Sequence, residues 1–168
     1  MGPCTLALSI VVMPSSTVFE DASDCKESAI LQFKEKRGVY LWTHKETNKQ
    51  YVGSSRNLGN RLAEYYRPSY LHAQEKRGSA ISRALLKYGY SAFTLSVQEI
   101  GPTETDQVYS ATNIPDYVVL EQSYLDNYTL AYNINRTASS SAYEPSDELI
   151  NVGESNPSYN KKGIDAFV

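Results

Sequence analysis

The stretch that most restricts this chain runs from Gly38 to Tyr66, GVYLWTHKETNKQYVGSSRNLGNRLAEYY. It holds two runs that alternate like strands, Val39 to Thr43 and Lys49 to Gly53, with Asn48 suited to the turn between them. With a period of two, Tyr40 and Trp42 share one face of the first strand, and Val39 and Leu41 share the other. Both faces are apolar, so this strand is expected at the centre of a sheet covered on both sides. A helix from about Asn57 to Tyr66 follows, with Leu58 and Leu62 turned inward. Each strand carries a tyrosine close to a glycine, in Gly38-Val39-Tyr40 and in Tyr51-Val52-Gly53. Arg61 and Tyr65, four apart on the helix, share a face. A hairpin and one helix thus bring together three phenols and a guanidinium, which suits an anionic ligand.

Charge is distributed unevenly. The chain has 168 residues and a net charge of −3, enough length for one domain with a core and a tail. Between Lys34 and Tyr90 lie 12 of the 16 Lys/Arg but only 4 of the 19 Asp/Glu. A basic, Tyr-rich middle in an acidic chain is the pattern of a polyanion-binding surface. A solvated basic helix face with no ligand fits the charge alone equally well. Cys4 and Cys25 form neither a C-x-x-C pair nor a zinc pattern with His44 and His72. The apolar run Thr5 to Met13 is too short to cross a bilayer and lacks the basic start of a signal peptide. No membrane partner is expected, and residues 1–23 read as a disordered or leader segment.

Several further elements follow in order. Ser23 or Asp24 caps a helix reaching about Lys36, with Ala29, Ile30 and Phe33 as its apolar stripe. Arg67-Pro68 ends the Asn57 helix, and Leu71 to Gly78 reads as a polar, basic loop. Ser79 caps a helix to Tyr88, closed by Gly89. Phe93, Leu95 and Val97 mark a half-buried third strand ending in Gln98 to Ile100. A loop from Gly101 to Pro115 leads to a helix reaching about Asp126, with Tyr117, Leu120 and Tyr124 inward and Glu121 beside them. Tyr132 to Asn135 is a short extended piece. From about residue 138 the composition turns to Ser, Pro, Gly and Asn, as in a linker.

These residues, taken together, resemble the GIY-YIG nucleases. Gly38-Val39-Tyr40 followed by Tyr51-Val52-Gly53 is similar to the family's paired signature. Gly53-Ser54-Ser55, Asn57-Leu58, Arg61-Leu62, Ala84 to Tyr90, Leu120-Glu121-Gln122, Tyr124-Leu125-Asp126 and Tyr132-Asn133 match in content and order. The likeness spans about residues 25 to 140 and is strongest to group-I-intron homing endonucleases of fungal mitochondria. It implies an α/β (α+β) nuclease domain over 24–137, a three-stranded antiparallel sheet flanked by helices. It also implies that residues 138–168 are a linker and, from Asn151 to Lys162, the start of a truncated DNA-binding module. The substrate implied is double-stranded DNA, cut by a monomer, with intron RNA a possible second partner and a mitochondrial location.

The resemblance also assigns roles. Glu121 matches the metal-binding glutamate, and one carboxylate suffices for Mg²⁺ (or Mn²⁺), which keeps several waters. Its plain alternative is a solvated helix acid. Arg61 matches the catalytic arginine, whose guanidinium forks onto phosphate oxygens. Tyr40 resembles the residue that positions or deprotonates the attacking water, with Arg61 and a metal expected to lower its pKa. Tyr51 is expected to hydrogen-bond within the site, though core packing accounts for either tyrosine. Tyr65 stands where some relatives have histidine, and Asn133 resembles a supporting asparagine. Lys76, Arg77, Arg83 and Lys87 are expected on the DNA backbone. Two rivals remain at this point: a non-catalytic module that assists intron splicing, and a repair nuclease of the same superfamily.

Overall fold

The structure is a computed structural model that describes residues 10–103, 114–134 and 137–138. Its centre is the expected strand. β2 (Lys36–His44) pairs antiparallel with β3 (Gln50–Ser55) on one side and with β4 (Phe93–Pro102) on the other. Asn48, in the left-handed region at φ 60°, turns β2 into β3. A strand absent from the sequence reading, β1 (Thr17–Phe19), pairs with β4, so the sheet order is β1-β4-β2-β3. The sheet therefore has four strands rather than the expected three.

Residues 10–23, expected within a disordered or leader segment, take described positions against the sheet. Val11 and Met13 are buried against the sheet, and the Gln50 side chain both accepts from Val11 N–H (2.9 Å) and donates to its carbonyl (3.1 Å). A three-residue edge strand is too short to show a period, which is why the alternation did not announce it. The described fold belongs to a unit ending at Ala138. The expected linker and truncated module at 138–168 fall, beyond Ala138, outside the described residues, as do residues 104–113 of the expected acidic loop.

Five helices occur among the described residues. α1 (Lys26–Gln32) stops short of the expected Lys36, because Glu35 turns the chain with φ 57° into β2. α2 (Leu58–Tyr65) is capped by Asn57, whose side chain accepts from Asn60 N–H. Gly59 lets α2 lie directly on α1, since a Cβ there would sit 2.8 Å from the Lys34 backbone. The segment read as a loop is helix α3 (Pro68–Lys76). Proline ends one helix but also starts the next, because at N1 its missing N–H costs nothing. α4 (Ala80–Tyr88) has the Ser79 cap and the Gly89 terminus expected of it. α5 (Asp116–Asn127) is held at its start by Arg37, which is 6 % exposed and grips Asp116 with Nε and Nη2 at 2.9–3.2 Å. Arg37 also donates to the Pro102 carbonyl at 2.7 Å. None of the described helices is long and apolar enough to cross a membrane.

The two sheet faces carry different cores. Tyr40, Trp42, Leu95 and Val97 pack with α1, α2 and α4 into a layer rich in aromatic rings. Trp42 alone meets Tyr65, Tyr66, Tyr90 and Phe93 at ring separations of 5.5–6.5 Å. On the opposite face Val39, Leu41 and Val52 pack with Leu125 and Leu130 in an aliphatic layer. Cross-strand register keeps the layers separate: Tyr40 stands opposite Gly53, and Val39 opposite Ser54.

Candidate active site

Tyr40 sits in a central strand, yet its hydroxyl must reach an opening to act. Gly53 allows this. A Cβ on Gly53 would fall on the Tyr40 phenol, within 2.9 Å of its Cε1, so the ring leans across bare backbone toward edge strand β3. There the Tyr40 hydroxyl meets the Tyr65 hydroxyl at 3.0 Å, with the rings edge to face at 5.5 Å. Tyr51 flanks Tyr40 at 6.4 Å. Arg61, one turn before Tyr65 on α2, is half-buried, and its Nε pairs with Glu64 at 3.1 Å. A guanidinium has five N–H donors, so this pair leaves the Nη edge able to fork onto an anion.

The carboxylate comes from the other face. Glu121, on α5, is 7 % exposed, and its Oε1 accepts from the Ser54 hydroxyl at 2.6 Å. Ser54 lies on β3 next to Gly53 but points to the opposite side of the sheet. The acid and the guanidinium still act on each other around the β3 edge. Arg61 draws the Glu121 carboxyl down, and Glu121 pushes the Tyr51 phenol up. Asn133 braces this edge from outside: its Oδ1 accepts from Val52 N–H at 2.8 Å, and its Nδ2 donates to Val52 O at 3.0 Å. Tyr132 N–H donates to Gln50 O at 3.0 Å, so the chain after α5 continues the pairing.

Burial dominates the electrostatics. It raises Glu121 above the ordinary carboxylate value, against the Ser54 hydrogen bond and Arg61. Burial also holds Tyr40 and Tyr65 well above a free phenol, and pushes Tyr51 up to about 12. The expected lowering of Tyr40 does not win: Arg61 does pull it down, but a fully buried phenol loses more from desolvation than Arg61 returns. Burial works against the charge of Arg61 too, but the phenols and Glu64 outweigh it and keep the guanidinium protonated.

The residues expected at the site thus divide. Tyr40, Tyr51, Arg61 and Tyr65 lie on the aromatic face beside β3, Glu121 bonds Ser54 on the other face, and Asn133 pairs with Val52. Lys76 and Arg77 stand exposed at the end of α3, and Arg83 and Lys87 stand exposed on α4, with Arg83 3.8 Å from Glu75. Two members were missed as site residues. Ser54 is a polar side chain at an inward position of a strand, the one sequence signal that marks it. Tyr70, half-buried on α3, packs edge to face on Tyr65 at 5.7 Å, and was hidden by reading that segment as a loop.

A sheet with paired Gly and Tyr positions, an arginine on the following helix and a distant buried glutamate now has a counterpart among known families. The model of the GIY-YIG catalytic domain matches residues 36–133. The chain belongs to the GIY-YIG family. It carries that family's nuclease domain, and the match includes every element that contributes to the site. A probable intron-encoded endonuclease 1 from Neurospora crassa is 30% identical over 129 residues. That alignment takes in 74% of this chain and 39% of the relative, so the chain spans about two fifths of the length of the curated relative it matches. No solved structure matches.

Among the described residues no three His, Cys, Asp or Glu side chains cluster as a metal cage. A site for a hard cation that keeps most of its waters needs less, and Glu121 fits it. One carboxylate oxygen is fixed by Ser54, and burial deprives the group of bulk water.

Proposed function

We propose that this chain is the catalytic half of an intron-homing endonuclease, hydrolysing phosphodiester bonds of double-stranded DNA with Mg²⁺ or Mn²⁺. The arrangement that supports the reading is Arg61 with the phenols on one face of β3 and the buried Glu121, fixed by Ser54, on the other. The name of the Neurospora relative supports the homing role. A mitochondrial location and a monomeric state belong to the same proposal, supported by the resemblance to fungal mitochondrial homing endonucleases.

Hydrolysis joins a water oxygen to phosphorus, breaks the bond to the leaving strand oxygen, and gathers charge on the non-bridging oxygens. Arg61 meets that charge with its Nη fork. Tyr40 and Tyr65 have one hydroxyl proton each, and the bond between them uses one. Tyr51 also hydrogen-bonds Tyr65, so the three phenols form one network whose remaining hydroxyl proton holds a water or a phosphate oxygen in place. Phenols held well above their ordinary value do not take a proton near neutral pH, so in this mechanism the pair orients rather than deprotonates. Glu121 holds the cation, which when bound supplies Lewis-acid stabilisation and an acidified water. Asn133 keeps β3 in register beside these groups. Lys76, Arg77, Arg83 and Lys87 hold backbone phosphates, so binding weakens steeply with salt.

The test is nicking of supercoiled plasmid at low salt, with Mg²⁺ and with EDTA. Metal-dependent nicking that disappears in Glu121→Ala is the expected result. Plasmid binding without nicking in the intact chain would transfer the reading to a non-catalytic binding module.

A further inference from the structure

Four tyrosines lie around Arg61, and Tyr40, Tyr51 and Tyr65 form the cluster already described. The fourth, Tyr70, enters through the turn between α2 and α3. Arg67 caps α3, Pro68 follows at N1, and Tyr70 N–H donates to Arg67 O at 3.0 Å. This turn folds the start of α3 back over the end of α2. Leu71 fills the core at 2 % exposure, and the Tyr70 ring comes to rest edge-on against Tyr65.

Two features mark Tyr70. The first is access. Tyr40 is 0 % and Tyr65 4 % exposed, whereas Tyr70, like Tyr51, stays half-buried, where a bulky substrate can reach it. The second is charge. Burial raises the Tyr70 phenol, but the guanidiniums of Arg61, Arg77 and Arg67 draw it down, against Glu64. Arg67 and Arg77 are exposed. A neutral O–H donor among three guanidiniums is suited to phosphate oxygens. It adds a hydrogen bond without adding to the repulsion among the cations.

We infer that Tyr70 is a further catalytic residue, its hydroxyl donating to the phosphate clamped by Arg61 while Arg67 and Arg77 take flanking phosphates of the same backbone. The inference rests on the nuclease reading. It names a phenol at the mouth of the site that touches substrate, beside the two covered phenols that orient from behind. A ring that merely packs on Tyr65 would leave its hydroxyl without consequence.

Tyr70→Phe separates these roles, because it removes one oxygen and keeps the ring contact. The experiment is single-turnover nicking of supercoiled plasmid with Mg²⁺ by the full chain, with Tyr70→His and Glu121→Gln alongside. Tyr70→Phe is expected to slow nicking about 10- to 100-fold, with plasmid affinity and Tm unchanged, and Tyr70→His, which restores a donor, to recover part of the loss. Wild-type nicking by Tyr70→Phe beside an inactive Glu121→Gln overturns this inference and leaves the nuclease reading standing. Undiminished nicking by both variants overturns both. A second readout needs no turnover: the ring-carbon resonances of Tyr70 shift when a short DNA duplex is added at low salt. A Tyr70 signal that stays put while Arg61 signals move overturns the inference as well.

Discussion

The two faces of the central sheet contribute to the same site in opposite ways. The aromatic face presents Tyr40, Tyr51, Tyr65 and Arg61 from one hairpin and the helix that follows it, all within a single stretch of chain. The aliphatic face presents one group, Glu121, from a helix whose start Arg37 holds through Asp116 across 79 positions of sequence. The first half is assembled by local structure. The second is assembled by tertiary docking, and it is the half that buries a carboxylate. Local assembly suits rigid orientation, and docking sets where the charge sits.

The largest break between the halves is expected from Glu121→Gln. Cleavage should fall by about 10³-fold or more, because no other described acid lies beside Ser54 to hold a cation. Stability should move the other way. Burial raises the Glu121 carboxyl, so its contribution to stability is complete below the unfolded-state value near 4.5 and is lost as pH rises through the folded value. The ionised acid carries a burial cost that glutamine lacks, and Gln keeps an acceptor for Ser54. Thermal denaturation at pH 7 should give a higher Tm for Glu121→Gln than for the wild type, with the gap narrowing toward pH 4. A lower Tm would contradict the burial argument.

Tyr40→Phe strikes the other half. It keeps the ring over Gly53 but removes the bond to Tyr65, and should slow cleavage about 10²-fold while costing about 1 kcal/mol of stability. Chemical denaturation and single-turnover rates measured together check both numbers. An equal loss of rate and of fold would reduce Tyr40 to a core residue.

How far each half can be read from sequence follows the same division. The hairpin, the Asn57 and Ser79 caps and the Arg61–Tyr65 pairing rest on periods of two and of about four, and these are visible without tertiary knowledge. β1 is a three-residue strand that forms only because β4 offers it an edge. α3 turns only Leu71 fully inward, so its pattern is too thin to announce a helix. Glu121 was legible only through resemblance, and its bond to Ser54 spans 67 positions that no local pattern connects. The direction of the Tyr40 shift was likewise hidden, because it depends on burial rather than on which charge stands nearby.

Smaller effects sharpen the comparison. Ser54→Ala removes the hydroxyl that fixes Glu121 Oε1, so about 10-fold more Mg²⁺ should be needed for half-maximal cleavage, with little change in the saturated rate. A Mg²⁺ titration that superimposes on the wild type would separate Ser54 from the metal half. The smallest effect lies on the alkaline side. Burial raises the phenols of Tyr40 and Tyr65, so their support of the fold is complete below pH 10 and is lost as pH rises past it. The fall in Tm above pH 10 should be shallower in Tyr40→Phe than in the wild type.

Whether Arg61 and Glu121 sense each other around the edge of β3 can be read from the titration of Glu121. Its side-chain carboxyl carbon can be followed by NMR against pH in the wild type and in Arg61→Met. The expected result is a pKa above the ordinary value in the wild type and a further rise in the variant, because the guanidinium that draws the carboxyl down has gone. An identical titration in both proteins would mean that Arg61 and Glu121 do not sense each other, and that the two faces do not form one site.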